Sequence, residues 1–243
     1  MAHLLITGHS RGLGAALTRR LLEKGHCVLG ISRHPIGGLD QWKSLAIQEL
    51  CADLGQRTGI AQALESRLIH DFFHDAEKAI LINNAGLIGP VGGAGQVNNA
   101  DIIQSIALNV AAPLALSNHF LAITGRCNDR RIVHLSSGAA RSPYPGWNIY
   151  CASKAALDHH ARCVSLELPE RCRIESIAPG VIDTQMQAEI RACSIEQFPM
   201  RPKFDQLKES GSLASPEDVA YKLIQHLFSQ SFGVSPCTDL KAL

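Results

Sequence analysis

The chain has 243 residues, 46% of them apolar and 19% charged, which fits one large globular domain and excludes a disordered, collagen-like or coiled-coil protein. Its 23 basic and 22 acidic residues leave a formal net charge of +1, too little for the broad positive field that nonspecific binding to nucleic acid or to a membrane surface needs. We therefore expect a small-molecule partner, with no nucleic acid and no membrane.

Short runs rich in Ile, Val and Leu predict strands, and the longer stretches between them predict helices. The strands are predicted at His3–Thr7, Cys27–Ser32, Leu45–Ala52, Ala79–Asn83, Arg131–Ser136 and Arg173–Ala178. The helices are predicted at Gly14–Lys24, Gly59–His70, Ala100–Ala122, Tyr150–Leu168 and Ser215–Ser229. The strands are apolar along their whole length, as in a parallel sheet with helices on both faces. This alternation predicts an α/β Rossmann fold, a doubly wound parallel sheet whose ligand crevice lies beyond the carboxyl ends of the strands.

No internal repeat or long linker divides the chain, so residues 1–243 are predicted to form a single domain. The alternation of strand and helix lapses in two loops, Gly86–Gly95 and the region from about 185 to 213. Both loops would flank the crevice, and we expect the second to bind substrate.

The chain enters its first strand directly, without the basic and apolar regions of an export signal. No segment has the ~18 uninterrupted apolar residues of a membrane span. We therefore expect a cytoplasmic protein, in which the eight scattered cysteines are small buried residues rather than disulfides or metal ligands. We expect no metal, because the adjacent His159 and His160 would point about 100° apart on a helix.

The first motif is TGHSRGLG at Thr7–Gly14, between the first predicted strand and the first predicted helix. Glycines there let backbone amides approach a pyrophosphate, and the N-terminus of the helix attracts its charge. A tight strand-to-helix turn would have the same pattern, so this segment alone indicates dinucleotide binding only weakly.

Three patterns together resemble the short-chain dehydrogenase/reductase superfamily: TGxxxGxG at Thr7–Gly14, NNAG at Asn83–Gly86, and Tyr150-x-x-x-Lys154. Their order and their positions at strand ends carry the resemblance, which covers nearly the whole chain. It implies a catalytic tetrad of Asn109, Ser137, Tyr150 and Lys154. It also implies a nicotinamide dinucleotide cofactor, held by Gly8, Ser10, Arg11, Gly12, Leu13, Gly14, Ser32, Arg33, Asp53, Leu54, Asn83, Ala85, Gly86, Asn109, Tyr150, Lys154, Pro179, Gly180, Val181 and Thr184.

The spacing of Tyr150 and Lys154 puts both side chains on one face of a helix. A tyrosine has a pKa near ~10, so acid-base work at neutral pH needs a cation such as Lys154 to stabilise the phenolate. By the resemblance, Tyr150 donates a proton to a carbonyl oxygen that Ser137 also hydrogen-bonds, whereas Ser136 would point to the opposite side of its strand. The resemblance further implies that Lys154 binds the nicotinamide ribose and that Asn109 holds a water beside it.

The residues after the second predicted strand favour NADP(H) over NAD. An acid there would bind the adenosine ribose and repel a 2′-phosphate, but the segment reads Gly30-Ile31-Ser32-Arg33-His34. Arg33 and Arg11 offer two cations to the phosphate, with the hydroxyl of Ser32 as a further donor. Asp53 matches the aspartate that the superfamily places beside the adenine, so it does not argue for NAD.

Further segments resemble the benzil reductase and sepiapterin reductase branch of the superfamily, namely Ser137–Ala140, Pro143–Trp147, Pro179–Gln187, Ala188–Arg191, Phe198-Pro199 and Gly211–Pro216. This resemblance implies reduction of a dicarbonyl compound, in which the second carbonyl polarises the first. The residues expected near such a substrate are Ser137, Tyr144, Trp147, Met186, Phe198 and Asp239.

Two other functions stay open: reduction of another ketone, such as a 3-oxoacyl thioester, and a catalytically silent NADP(H) sensor. The C-terminal segment lacks the paired glycines of 3-oxoacyl reductases, and the complete tetrad disfavours a sensor. The long apolar helices predicted at Ala100–Ala122 and Tyr150–Leu168 resemble the pair through which members of the superfamily dimerise. We therefore expect a homodimer or homotetramer.

Overall fold

A parallel sheet forms the centre of the computed structural model, which describes residues 1–38, 47–167 and 171–242. Within these ranges the strands are β1 (His3–Thr7), β2 (Cys27–Ser32), β3 (Ile47–Cys51), β4 (Lys78–Asn83), β5 (Asp129–Leu135), β6 (Cys172–Ala178) and β7 (Cys237–Asp239). They lie in the order β3-β2-β1-β4-β5-β6-β7, each parallel to its neighbours. The order reverses between β1 and β4, which is where doubly wound sheets open a crevice for a nucleotide.

Helices cover both faces of this sheet. In the described ranges they are α1 (Gly12–Glu23), α2 (Arg57–Leu64), α3 (Arg67–Phe73), α4 (Asn99–Ile106), α5 (Ala112–Ile123), α6 (Asn148–Glu167), α7 (Gln185–Ala192), α8 (Arg201–Glu209) and α9 (Pro216–Leu227). A π-helical turn at Ala107–Ala111 joins α4 to α5, so these two form one continuous helix.

Residues that alternate along a strand bury opposite faces of the sheet. Leu4 of β1 lies in one apolar cluster with Leu17 of α1 and Leu223 of α9. Its neighbour Leu5 lies in the cluster on the other face, with Phe73 of α3 and parts of α2, α5 and α6. Both layers are therefore held by apolar burial, and the strand ends between them are left to position polar groups.

The predicted α/β fold is confirmed, and each predicted strand agrees with an observed strand within two residues at either end. Residues 45 and 46 of the third predicted strand lie outside the described ranges, as does residue 168 of the predicted helix Tyr150–Leu168.

Three other elements differ from the sequence predictions. The predicted helix Gly59–His70 is two helices, because the chain turns at Glu65 and leaves helical geometry at Ser66. The predicted loop from about 185 to 213 contains α7 and α8, which bury Ile190 and Phe204 against Trp147. Strand β7 was not predicted, since its three residues are too few to show a pattern.

The continuous helix Asn99–Ile123 is long and apolar enough to span a membrane by length and composition, with a mean hydropathy of 1.5. Its C-terminal half packs on the sheet through Leu116 and Phe120. Its buried face also carries the polar side chains of Ser105 and Asn109. We therefore assign it as a helix of the Rossmann domain, because helices in the core of a domain pass the same test.

The eight cysteines are unpaired, but only Cys127 and Cys172 are buried. Cys51 and Cys163 are exposed and the others are intermediate. The prediction of small buried residues is therefore wrong for most of them, because strands and helices with an apolar sequence still expose one side. Burial raises the pKa of Cys172 to about 11, so that thiol stays protonated.

Gly30 of β2 lies directly under the imidazole of His9, and an added Cβ would stand 2.3 Å from its ring atoms. We expect Gly30→Ala to lower the free energy of unfolding by about 1–3 kcal/mol, since the packed ring must shift. Urea denaturation measures this. Gly125→Ala is the control, because a Cβ there meets nothing within 4 Å. In a His9→Ala background, Gly30→Ala should lower the free energy of unfolding much less, because the ring is absent. An equal decrease in both backgrounds would show that the ring is not the cause.

Candidate active site and cofactor crevice

The loops that follow β1 and β4 are fastened to each other at the carboxyl edge of the sheet. The Thr7 hydroxyl oxygen accepts hydrogen bonds from the backbone amides of Asn84 and Ala85, each at 3.0 Å. In return, the Asn84 side-chain amide donates to the carbonyls of Thr7 and Gly8, at 2.9 and 3.1 Å. The TGxxxGxG and NNAG motifs thus form one rigid floor for the crevice.

Two glycines allow helix α1 to begin against this floor. A Cβ on Gly14 would lie 2.0 Å from the carbonyl oxygen of Gly8, so a side chain cannot be accommodated there. Gly8 has φ of +67° and would bring a Cβ to 3.0 Å from the Ala85 Cα. The first turn of α1 has no side-chain cap and no acidic residue, and Arg11 precedes it. Its amide groups can therefore bind an anion, which fits the pyrophosphate of a dinucleotide.

The residues predicted to bind the adenosine end of a dinucleotide lie at the ends of β2 and β3 and in the glycine loop. Arg33 is exposed directly after β2, and Arg11 is exposed in the glycine loop. Ser32, predicted as a phosphate donor, instead donates its hydroxyl to the backbone carbonyl of His34. After β3, the Asp53 carboxylate accepts a hydrogen bond from the Gly55 amide at 2.9 Å. The two arginines therefore place exposed guanidinium groups at this edge of the described chain.

His9 of the glycine loop makes a contact that joins two segments of this edge of the sheet. It is buried, and its Nε2 lies 2.6 Å from Oε1 of Glu49 on β3. The same Glu49 oxygen accepts a hydrogen bond from the Ile36 amide at 2.8 Å. Glu49 thus joins the glycine loop to the segment that carries Arg33. No motif revealed this contact, because the residues are far apart in the sequence.

Tyr150 and Lys154 lie one turn apart on α6, and both side chains are buried. The Lys154 Nζ stands 5.6 Å from the centroid of the Tyr150 ring and donates to the carbonyl oxygen of Leu135 at 2.7 Å. Burial raises the pKa of Tyr150 to about 12, while the neighbouring Ser137 hydroxyl opposes the rise. Burial lowers the pKa of Lys154 to about 8, and the Asp158 carboxylate opposes that fall. At neutral pH the tyrosine therefore holds its proton and the lysine is mostly charged.

Ser137 follows β5 and begins a 3-10 turn at Gly138–Ala140. Its hydroxyl oxygen accepts a hydrogen bond from the Ala139 amide at 3.2 Å, which leaves the hydroxyl proton to be donated elsewhere. The Ser136 hydroxyl points away from this site and donates to Asp158 at 2.6 Å. The opposite directions of the two serines agree with the sequence prediction.

Asn109 lies in the π-helical turn, a feature frequent at functional sites, and is fully buried. Its side chain accepts from the Leu87 amide at 3.0 Å and donates to the Leu87 carbonyl at 2.8 Å. A Cβ on Gly86 would lie 3.3 Å from the Asn109 oxygen and 3.6 Å from the Lys154 nitrogen, so the three residues converge. Because Leu87 occupies the side-chain amide, a water beside Lys154 would bind another atom of Asn109.

Asn83, which is predicted to bind the cofactor, directs its side chain into the core. Its side chain is buried and its amide nitrogen lies 3.1 Å from Nδ1 of His134 and 3.2 Å from the Ser117 hydroxyl. It therefore faces the core, since residues at successive positions of a strand point to opposite sides. The amide nitrogen of its side chain is taken by these core contacts, and its backbone remains available to a ligand.

The loop after β6 reaches the glycine loop from the other side. It contains Pro179 and Gly180, which has φ of +85°. The Val181 carbonyl accepts a hydrogen bond from the Ala214 amide at 3.0 Å. The Thr184 methyl group lies 3.3 Å from the position of a Cβ on Gly12, so this loop adjoins the glycine loop.

Aromatic residues pack beside Tyr150, but most of them are not open to the crevice. The rings of Trp147 and Phe198 stack with centroids 4.2 Å apart, and Trp147 meets Tyr150 edge to face at 5.6 Å. Phe198 is fully buried, so the prediction that it forms a substrate wall has no exposed surface to support it in this structure. Tyr144 and Met186 are half-buried at the edge of the cluster.

Asp239 ends β7 at the same edge of the sheet as the other candidate site residues. It is half-buried, and its carboxylate accepts a hydrogen bond from the Lys241 amide at 2.9 Å. The second carboxylate oxygen has no such contact with the described residues, so a ligand could still reach it.

His159 and His160 form no metal site. The Nδ1 of His160 lies 3.0 Å from Nε2 of His134, and burial lowers the pKa of His134 to about 3. Across residues 1–38, 47–167 and 171–242, no group of three or more histidine, cysteine or acidic side chains could hold a metal ion.

Comparison with known proteins agrees with this geometry. The family model for short chain dehydrogenases matches residues 2–194. The chain is 35% identical over 241 residues to the benzil reductase ((S)-benzoin forming) of Bacillus cereus, covering 96% of both proteins. It is 32% identical over 246 residues to the sepiapterin reductase of Meriones unguiculatus, covering 94% of this chain and 92% of that one. A short-chain dehydrogenase/reductase from Burkholderia vietnamiensis has a crystal structure with a TM-score of 0.72 at 35% identity, covering 100% of this chain and 98% of that one.

Both the superfamily and the branch inferred from the sequence motifs are confirmed by these relatives. The family model covers most of the chain, including the glycine loop and the Tyr150/Lys154 pair. The chain therefore belongs to the short-chain dehydrogenase/reductase family, whose members are oxidoreductases that act on alcohol and carbonyl groups with nicotinamide cofactors.

Proposed function

We propose that the protein is an NADPH-dependent reductase of dicarbonyl compounds, with Ser137, Tyr150 and Lys154 as its catalytic residues. The observation that carries this proposal is the convergence of these three side chains at the edge of a crevice whose glycine loop fits a pyrophosphate. The name of one relative, benzil reductase, supports a substrate with adjacent carbonyl groups, and that of another, sepiapterin reductase, supports reduction of a ketone.

The residues of the site suit proton donation to a carbonyl oxygen. When bound, the nicotinamide supplies hydride to the carbonyl carbon. The Tyr150 hydroxyl, protonated at neutral pH, donates its proton to the oxygen as negative charge develops there. The Ser137 hydroxyl donates a hydrogen bond to the same oxygen. The Lys154 ammonium stabilises the phenolate that proton transfer leaves, and it would also hold the ribose next to the nicotinamide.

Preference for NADP(H) over NAD is part of this proposal. Arg11 and Arg33 are exposed at the adenosine end, and no acid follows β2 in Ser32-Arg33-His34. Charge-assisted hydrogen bonds from guanidinium groups to a 2′-phosphate would favour the phosphorylated dinucleotide.

The exposed apolar residues of α4 and α6 support self-association. Ile103 of α4 is 70% exposed and Leu166 of α6 is 89% exposed, so each offers apolar surface to another subunit. We propose that these helices pair between subunits of a homodimer or homotetramer. Location in the cytoplasm stays a prediction from the sequence.

The first experiment measures NADPH oxidation with benzil, a phenyl alkyl diketone, sepiapterin and an acetoacetyl thioester, and repeats each assay with NADH. We expect turnover of the diketones with NADPH and little with NADH. Turnover of the thioester instead would indicate that the protein reduces another class of ketone. NADPH binding without turnover of any compound would contradict the proposal in favour of a sensor.

The role of Tyr150 as the proton donor is tested by Tyr150→Phe. We expect kcat to fall by about 100-fold or more, because the acid is removed. The Kd for NADPH, measured by fluorescence, should stay within about twofold, since the ring is retained. Tyr221→Phe is the control, as Tyr221 lies on the distant helix α9. An equal loss of turnover and of NADPH binding would contradict the assigned role.

The role of Arg33 in cofactor choice is tested by Arg33→Asp. The new carboxylate would repel a 2′-phosphate and accept hydrogen bonds from the unphosphorylated ribose. We expect the ratio of kcat/KM for NADPH to that for NADH to fall by about 10–100-fold, from the loss of charge-assisted bonds of ~1.5–3 kcal/mol. Arg126→Asp makes the same charge change at the opposite edge of the sheet, before β5. An unchanged ratio in Arg33→Asp would mean that the phosphate is recognised elsewhere.

A further inference from the structure

A buried carboxylate lies beneath the proposed site. Asp158 is 2% exposed and stands one helical turn after Lys154 on α6. Burying a carboxylate is costly unless hydrogen bonds and a cation compensate it. The contacts that compensate it show what it holds in place.

The carboxylate of Asp158 accepts hydrogen bonds from the residues on both sides of the turn that begins at Ser137. Its Oδ1 accepts from the Ser136 hydroxyl at 2.6 Å, directly before Ser137. Its Oδ2 accepts from the Arg141 guanidinium at 2.9 Å, directly after the 3-10 turn. Oδ1 also accepts from the Ser176 hydroxyl of β6 at 2.8 Å. One side chain of α6 thus fixes the start and the end of the Ser137 turn.

The hydrogen bonds within that turn do not place it against α6. The Ala140 amide donates to the Ser137 carbonyl and the Arg141 amide to the Gly138 carbonyl, which closes the turn on itself. Its position relative to Tyr150 therefore depends on groups that connect it to the helix. Two charged groups of α6 make such connections: Lys154 donates to the Leu135 carbonyl, and Asp158 accepts from Ser136 and Arg141 on either side of the turn.

Several charged or titratable groups face this network. Lys154 lies on the same helix, and the Asp158 charge raises its pKa against the effect of burial. Arg141 faces Asp158 from the loop after β5, and Arg162 approaches from α6 near the Cys237 thiol of β7. His134 faces the network from β5, and its pKa is lowered by burial and further by the charge of Lys154.

We propose that Asp158 is a positioning residue for carbonyl reduction, which holds the Ser137 turn against α6 and places a negative charge one helical turn from Lys154. This inference rests on the proposed function. It goes beyond the tetrad because Asp158 touches neither Tyr150 nor Ser137 and acts through Ser136, Arg141 and Lys154.

The test is Asp158→Asn, which keeps the size of the side chain but removes its charge and directs an amide donor at Arg141. We expect kcat to fall by about 10–100-fold, since small displacements of a catalytic group cost that much, while KM for NADPH changes less than about twofold. The alkaline limb of the pH profile of kcat should move to lower pH. The reason is that the variant lacks an anion that raises the pKa of the Tyr150/Lys154 pair.

Glu175→Gln is the matched control. Glu175 is also a buried carboxylate, bonded to His226 and to the Gly233 amide, but it does not contact the Ser137 turn. Glu175→Gln should lower the thermal stability without moving the alkaline limb of the pH profile of kcat. A pH shift equal to that of Asp158→Asn would overturn the inference, since it would then be a general effect of losing a buried charge.

Arg141→Gln is the second variant and serves if Asp158→Asn does not fold. It keeps the Asp158 charge and removes a nearby cation, so the alkaline limb should move to higher pH. Hydrogen exchange adds a readout independent of turnover: the amides of residues 138–142 should exchange faster in both variants. The inference would be overturned if the alkaline limb of the pH profile did not move, or if the amides of residues 138–142 exchanged at the wild-type rate. If wild type reduces carbonyls and Tyr150→Phe does not, such a result would leave the proposed function intact.

Discussion

Thr7 and Asn84 bind each other's loops through reciprocal hydrogen bonds between side chain and backbone, and the crevice depends on that contact. It brings the end of β1 beside the end of β4, at the point where the strand order reverses. Because the glycine loop is held there, α1 starts with its free amides directed at the crevice. The loops after β2, β5 and β6 lie at the same edge of the sheet, because all of these strands are parallel.

Burial acts in opposite directions on the two ionisable residues of the site. It raises the pKa of the Tyr150 phenol and lowers that of the Lys154 ammonium, because a low-dielectric surrounding disfavours both charged forms. The result is a phenol that keeps its proton at neutral pH, next to a cation that retains most of its charge. The Asp158 carboxylate limits how far the pKa of Lys154 falls. The charges that set this pKa therefore include a buried residue one helical turn beyond Lys154.

The sequence predicts the sheet well, because its strands are apolar runs whose burial leaves little choice of conformation. It also predicts that Ser137, after β5, converges with Tyr150 and Lys154 of α6, since these residues fall in patterns of local spacing. Contacts between distant segments were not predictable: Glu49 with His9, or Asp158 with Arg141, leave no trace in local order. Phe198 shows the reverse error, as an aromatic near the site was expected to meet substrate but instead stacks in the interior.

The π-helical turn at Ala107–Ala111 affects which changes of chain length this protein tolerates. A π turn holds one residue more than an α-helical turn, so it rotates everything after it by about 100° relative to a regular helix. Before the turn Ile103 faces outward, and after it Leu116 faces the sheet. Deleting one residue would make a more regular helix but would pull Asn109 from Leu87 or Leu116 from the core. Among natural variants, exchanges of one apolar residue for another along this helix would therefore persist, while insertions and deletions would be removed by selection.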